Sequence, residues 1–139
     1  MTTPKPDWAE LVSPTIEDIT GMADVAFNAL PETFRKLCEG LVIEVDDFPS
    51  DEVLDEMECE TEFDLLGLFR GAGLAQAGAV PQTGQEPNMI WLYRRPILDY
   101  WAESEDTLGA VITHVLVHEI GHHFGLSDDD MEKIENRAA

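Results

Sequence analysis

The sequence predicts an α+β fold: helices packed around a small, mostly antiparallel or mixed sheet of about three strands. Three observations predict it. Apolar residues recur at helical spacing over residues 15–29 and 104–124. Short runs rich in β-branched, aromatic or other apolar residues stand between them, at 41–45, 63–70 and 88–94. The chain has 139 residues, 44% of them hydrophobic, which suits a single domain with one core.

Residues 1–14, with Pro4, Pro6 and Pro14, read as an irregular arm of a single domain spanning 1–139. In 15–29 the positions Ile16, Ile19, Met22, Ala23, Ala26 and Phe27, with Leu30 just beyond, follow a helical stripe, and Thr15 is placed to cap it ahead of Glu17 and Asp18. Pro31 starts a further turn over 31–38, which Gly40 ends. Residues 41–45 (Leu-Val-Ile-Glu-Val) form the first strand. Pro49 breaks the chain, and Ser50 caps a short helix reaching Met57. Residues 63–70 are a second strand candidate, weakened by Gly67. Residues 71–87 are rich in Gly, Ala, Gln and Pro, nearly free of charge, and read as a long loop of the kind that often carries function. Residues 88–94 are the third strand, ended by Pro96, with a short helix over 97–101. A substrate-binding edge strand is expected at 88–94 or 63–70. The longest helical pattern, 104–124, opens with Glu105 and Asp106 and stops at Gly125. Ser127 then caps a last helix from Asp128 to about Arg137, whose first acids suit the helix dipole.

Composition excludes several function classes. The net charge of −21 repels phosphates and argues against a nucleic-acid partner. No apolar run approaches the roughly 18 residues that a membrane span needs, and the first residues lack the pattern of a secretory leader. Cys38 and Cys59 form no CxxC pair and are expected as reduced thiols in a cytoplasmic protein. Between Glu44 and Asp64 there are eleven acidic residues and no Lys or Arg. This stretch reads first as a solvated face and second as a surface that attracts basic peptides or proteins.

The chemistry is concentrated in His118-Glu119-Ile120-Gly121-His122, an H-E-x-x-H pattern on a predicted helix. Spacing of four puts both imidazoles on one face, in reach of one metal ion. Glu119 lies about 100° around the helix, where it acts as a general base rather than a ligand. A third ligand is needed. Gly125 lets the chain leave the helix sharply, and Asp128 is then placed to supply an oxygen that suits Zn²⁺ beside two imidazoles. Average residue frequencies put H-E-x-x-H in a few chains per thousand of this length; adding Gly125 and Asp128 lowers this to on the order of 10⁻⁵.

His118, Glu119, His122, Gly125 and Asp128 resemble the extended motif H-E-x-x-H-x-x-G-x-x-D of zincin metallopeptidases with an aspartate as third ligand. The wider pattern, Trp91 to Arg95 and then Leu116 to Gly125, is similar to a family of small bacterial zincin-like, or minimal, metallopeptidases. The resemblance implies a mini-zincin fold, a zinc ion on His118, His122 and Asp128, and hydrolysis of a peptide or protein substrate with Glu119 as general base. It departs from metzincins, which carry a third histidine where Asp128 stands and a Met-containing turn that Met131 does not supply. Glu135 stands as an alternative third ligand, as in zincins that take a glutamate from a later helix. Two rival readings are a metal-dependent peptide- or protein-binding module without turnover, and a structural zinc drawing on Cys38 or Cys59.

Among the neighbours, His114 reads as a partly buried polar residue with a hydrogen-bond partner, and second as a group near the metal or substrate. His123 is expected to face away from the metal. Gly121 within a helix costs about 1 kcal/mol relative to Ala, so close packing is expected there. Tyr93, Tyr100, Arg94 and Arg95 read first as packing and ion-pairing residues and second as oxyanion donors.

Overall fold

The computed structural model describes residues 5–71 and 87–138. Most of the 71–87 stretch, and with it the loop expected there, lies outside the described residues. After a 3₁₀ turn at Trp8–Glu10, helix α1 (Ile16–Asn28) starts at a reciprocal cap. The Asp18 amide donates to Thr15 Oγ1 at 3.1 Å and the Thr15 amide to the Asp18 carboxylate at 2.9 Å. Helix α2 (Glu32–Arg35) follows Pro31 and runs into a 3₁₀ turn at Lys36–Cys38. Gly40, at φ +72°, turns the chain into strand β1 (Val42–Asp46). Ser50 caps helix α3 (Asp51–Glu56) by accepting from the Val53 amide. Strands β2 (Gly67–Arg70) and β3 (Met89–Tyr93) follow, then helices α4 (Arg94–Glu103), α5 (Leu108–His123) and α6 (Asp128–Ala138).

The sheet is mixed. Its order is β1-β3-β2, with β1 parallel and β2 antiparallel to β3. Residues 88–94 therefore form the central strand and not an edge; among the described residues the edges are β1 and β2. One face of the sheet carries Val45, Phe69, Ile90 and Leu92. These pack on Ile19 and Ala23 of α1 and on Ile112, Leu116 and Ile120 of α5, the last three fully buried. The burial of this one continuous layer is the main apolar stabilisation of the fold. No helix among the described residues is long and apolar enough to cross a membrane.

Three boundaries differ from the sequence reading, each for a local reason. The second strand starts only at Gly67, because the Asp64 carboxylate accepts from the Glu60 and Thr61 amides and the Thr61 hydroxyl and closes a turn before the sheet. The long helix starts at Leu108, capped by Thr107, so Glu105 and Asp106 precede it instead of occupying its first turn. Pro96 sits in the first turn of α4, where its missing N–H costs nothing, so the fourth helix begins at Arg94 rather than near residue 97.

Candidate metal centre

Helices α5 and α6 form an antiparallel hairpin that builds the site. The turn is a glycine-terminated helix end. Gly125 adopts φ +77°, the Leu126 amide donates to the Gly121 carbonyl at 2.9 Å and the Gly125 amide to the His122 carbonyl at 3.2 Å. Ser127 then caps α6 by accepting from the Asp130 amide at 3.1 Å. The helices close on each other at Gly121, where a Cβ would stand 2.5 Å from Met131 Sδ and 2.8 Å from its Cγ. Met131 is fully buried in that notch. Close packing is the reason for a glycine inside this helix.

Three histidines line one face of α5 at intervals of four: His114, His118 and His122. The His114 and His118 rings stack at 3.9 Å between centroids, while His118 and His122 meet edge to face at 5.6 Å. Two carboxylates of α6 approach this row. Asp128 Oδ1 lies 4.0 Å from His122 Nε2, and the Asp128 side chain is 93% exposed. Glu135, one turn beyond Met131, is better enclosed. Its Oε1 lies 2.9 Å from His118 Nε2 and 3.0 Å from His114 Nδ1. That oxygen is buried, and neither ring N–H meets it in line, although both rings lie within ion-pair distance. Burial, followed by repulsion from His114, lowers the His118 pKa against the opposing pull of Glu135.

Glu119 faces the sheet. A Cβ on Gly67 would come 3.4 Å from Glu119 Cγ and 2.8 Å from Val115 Cγ1, so the residue that weakens the strand pattern is what lets α5 lie against β2. Burial pushes the Glu119 carboxyl from an ordinary 4.5 up to about 7. Tyr93 is nearby enough to feel it. Its pKa rises to about 12, through burial first, then through the charges of Asp46 and Glu119, with Arg70 opposing.

The remaining sequence candidates divide clearly. His114 is exposed rather than partly buried, and its Nδ1 lies 3.0 Å from the Glu135 carboxylate without an in-line N–H. His123 packs its ring on Phe69 at 4.5 Å, off the histidine row, and leaves Nε2 buried without a partner. Arg94 is committed to structure: Nη1 donates to Asp47 at 3.0 Å, Nη2 to Ser13 Oγ at 2.8 Å, and Nε to the Pro14 carbonyl. Arg95 lies over the Phe48 ring. Cys38 and Cys59 are free thiols, and neither belongs to the converging group of metal-type donors found among the described residues, which is His114, His118 and Glu135. That convergence was not part of the sequence reading. The sequence reading names His114 as a second-choice group near the metal and Glu135 as an alternative ligand, without bringing the two together.

Fold and site together describe a zincin: an H-E-x-x-H helix laid against a small mixed sheet, with carboxylates returning on a following helix. The chain belongs to the zincin-like metallopeptidase family, whose model matches residues 38–138. The match takes in the sheet and the α5–α6 hairpin and leaves out α1 and the arm before it. Members of this family usually bind a metal, in keeping with the His and Glu donors gathered on α5 and α6. Comparison with curated proteins returns no match.

Proposed function

We propose that the chain is a zinc-dependent peptidase in which His118 and His122 hold the ion, Asp128 completes the donor set and Glu119 moves the proton. The observation that carries this reading is the pairing on α5 of two imidazoles on one face with a half-buried carboxylate whose pKa is pushed up to about 7. The residues fit zinc by their chemistry: two neutral imidazole nitrogens and a carboxylate make a borderline-soft donor set. Asp128 stands 4.0 Å from His122 Nε2, at the exposed start of α6, where its side chain is free to rotate. When bound, the ion supplies a Lewis acid for a peptide carbonyl and acidifies a water.

The chain's own residues account for the rest. Glu119 accepts a proton from the attacking water and returns it to the leaving nitrogen, and a carboxylate titrating near neutrality both takes and releases a proton readily. Strand β2, an edge of the sheet among the described residues and close to Glu119, offers backbone groups along which an extended peptide can pair. The acidic stretch 44–64 favours a basic peptide or protein over a nucleic acid. Free thiols at Cys38 and Cys59 suit a reducing cytoplasm.

The test is Glu119→Gln, assayed for bound metal and for cleavage of unfolded basic peptides. Metal content is retained and hydrolysis disappears. A variant that cleaves as fast as wild type refutes the mechanism. One observation favours a second reading, a metal-dependent peptide-binding module without turnover: Arg94, an oxyanion candidate, is tied to Asp47, Ser13 and Pro14. Tight binding of such peptides by the zinc-loaded chain, with no cleavage, selects that reading.

A further inference from the structure

The histidine row on α5 is longer than the H-E-x-x-H pair requires. His114 sits one turn upstream of His118, and the two rings stack at 3.9 Å. Glu135 Oε1 stands within reach of one nitrogen of each ring, at 3.0 Å from His114 Nδ1 and 2.9 Å from His118 Nε2. These three donor atoms lie within 4.8 Å of one another. An ordinary His–Glu–His contact would be held by ring N–H groups pointing in line at the oxygen, but neither ring N–H meets the buried Oε1 with good geometry. A buried carboxylate oxygen that is poorly met by donors is costly. Two imidazole nitrogens and one carboxylate oxygen gathered this closely are instead a donor set that a divalent cation takes. The packing holds the oxygen there, since Met131, buried in the Gly121 notch, fixes α6 one turn before Glu135.

We propose that His114, His118 and Glu135 form a second cation station for zinc or a similar borderline divalent ion, overlapping the His118–His122–Asp128 set through His118. One ring nitrogen, His118 Nε2, faces Glu135 in the second station. A single lone pair binds a single ion, so an ion held through that nitrogen by the upstream set leaves the H-E-x-x-H set with His122 and Asp128 alone. The chain therefore takes one ion at two alternative positions. The station itself does not depend on the peptidase reading. Its consequence, that an ion parked upstream leaves the proposed hydrolytic site incomplete, rests on that reading.

The experiment is a titration of the purified chain with Co²⁺, followed by its visible absorption bands. The proteins are wild type, His118→Ala, the double variant His122→Ala/Asp128→Asn, and that double variant with His114→Ala and Glu135→Gln added. Far-UV circular dichroism confirms that each is folded. Wild type binds one equivalent. The double variant also binds one equivalent, through the upstream donors and with a shifted spectrum. Adding His114→Ala and Glu135→Gln weakens its binding by at least the hundredfold or so that losing even an outer partner can cost a metal site. The proposal is overturned if the double variant binds no better than His118→Ala, or if the two added substitutions leave its affinity unchanged. Because the readout is binding, a chain that hydrolyses nothing can still pass this test, and failure here leaves the Glu119 test untouched.

Discussion

Replacing Glu119 with glutamine in the metal-free protein keeps the size of the side chain and removes one buried titration. Burial holds the Glu119 carboxyl at about 7 against an ordinary 4.5. The folded state therefore keeps its proton where the unfolded chain has lost it. Below pH 4.5 both states are protonated, and the titration distinguishes wild type from variant little. Between 4.5 and about 7 the unfolded state binds fewer protons than the folded one, so wild-type stability falls as pH rises, and it levels off above 7. A rise from 4.5 to about 7 corresponds to about 3 kcal/mol once both states are ionised. Glu119→Gln has no such loss. Urea unfolding in the presence of a chelator, at pH 5 and pH 8, measures it; pH 5 avoids the isoelectric point near 4.1. The variant is more stable than wild type by about 2–3 kcal/mol at pH 8 and by less than about 1 kcal/mol at pH 5. Equal stability at pH 8, or the same gap at both pH values, refutes the desolvation of Glu119 beside Gly67.

Two further outcomes follow from packing and bonding. Gly121→Ala drives a Cβ to 2.5 Å from Met131 Sδ; overpacking of about 1–3 kcal/mol, offset by about 1 kcal/mol of helix propensity, leaves a modest loss of stability, and Met131 must shift in its notch, so metal affinity falls as the seating of α6 loosens, as a paired calorimetric and Co²⁺ titration shows. Arg94→Ala removes three donors that tie Ser13, Pro14 and Asp47 to the end of β3, costs about 1.5–3 kcal/mol for its charged hydrogen bonds, and speeds limited proteolysis within residues 5–14.

Local chemistry made much of the chain legible before any tertiary contact was known. The Thr15 and Ser127 caps, the Gly40 and Gly125 turns, the strand at 41–45 and the helix carrying His118 and His122 all depend on residues within a few positions of one another. Features that depend on a distant partner were less legible. The turn closed by Asp64 competed with the strand pattern of 63–66 and won through three hydrogen bonds. Sheet order was out of reach, because alternation reports which residues face the core and says nothing about which strand is central.

At the site, the sequence by itself determined that two imidazoles share a helix face and that Glu119 lies off it, since helix geometry fixes both. It also determined that the chain turns back at Gly125. Only the tertiary structure decided what meets that face. Met131 seated on Gly121 sets the register of α6 against α5, and this leaves Asp128 4.0 Å from His122 and brings Glu135 within 3.0 Å of both His114 and His118. The approach of β2, allowed by the missing side chain of Gly67, half-buries Glu119 and raises its pKa. Both depend on what packs from outside the helix, and no spacing within residues 118–128 encodes it.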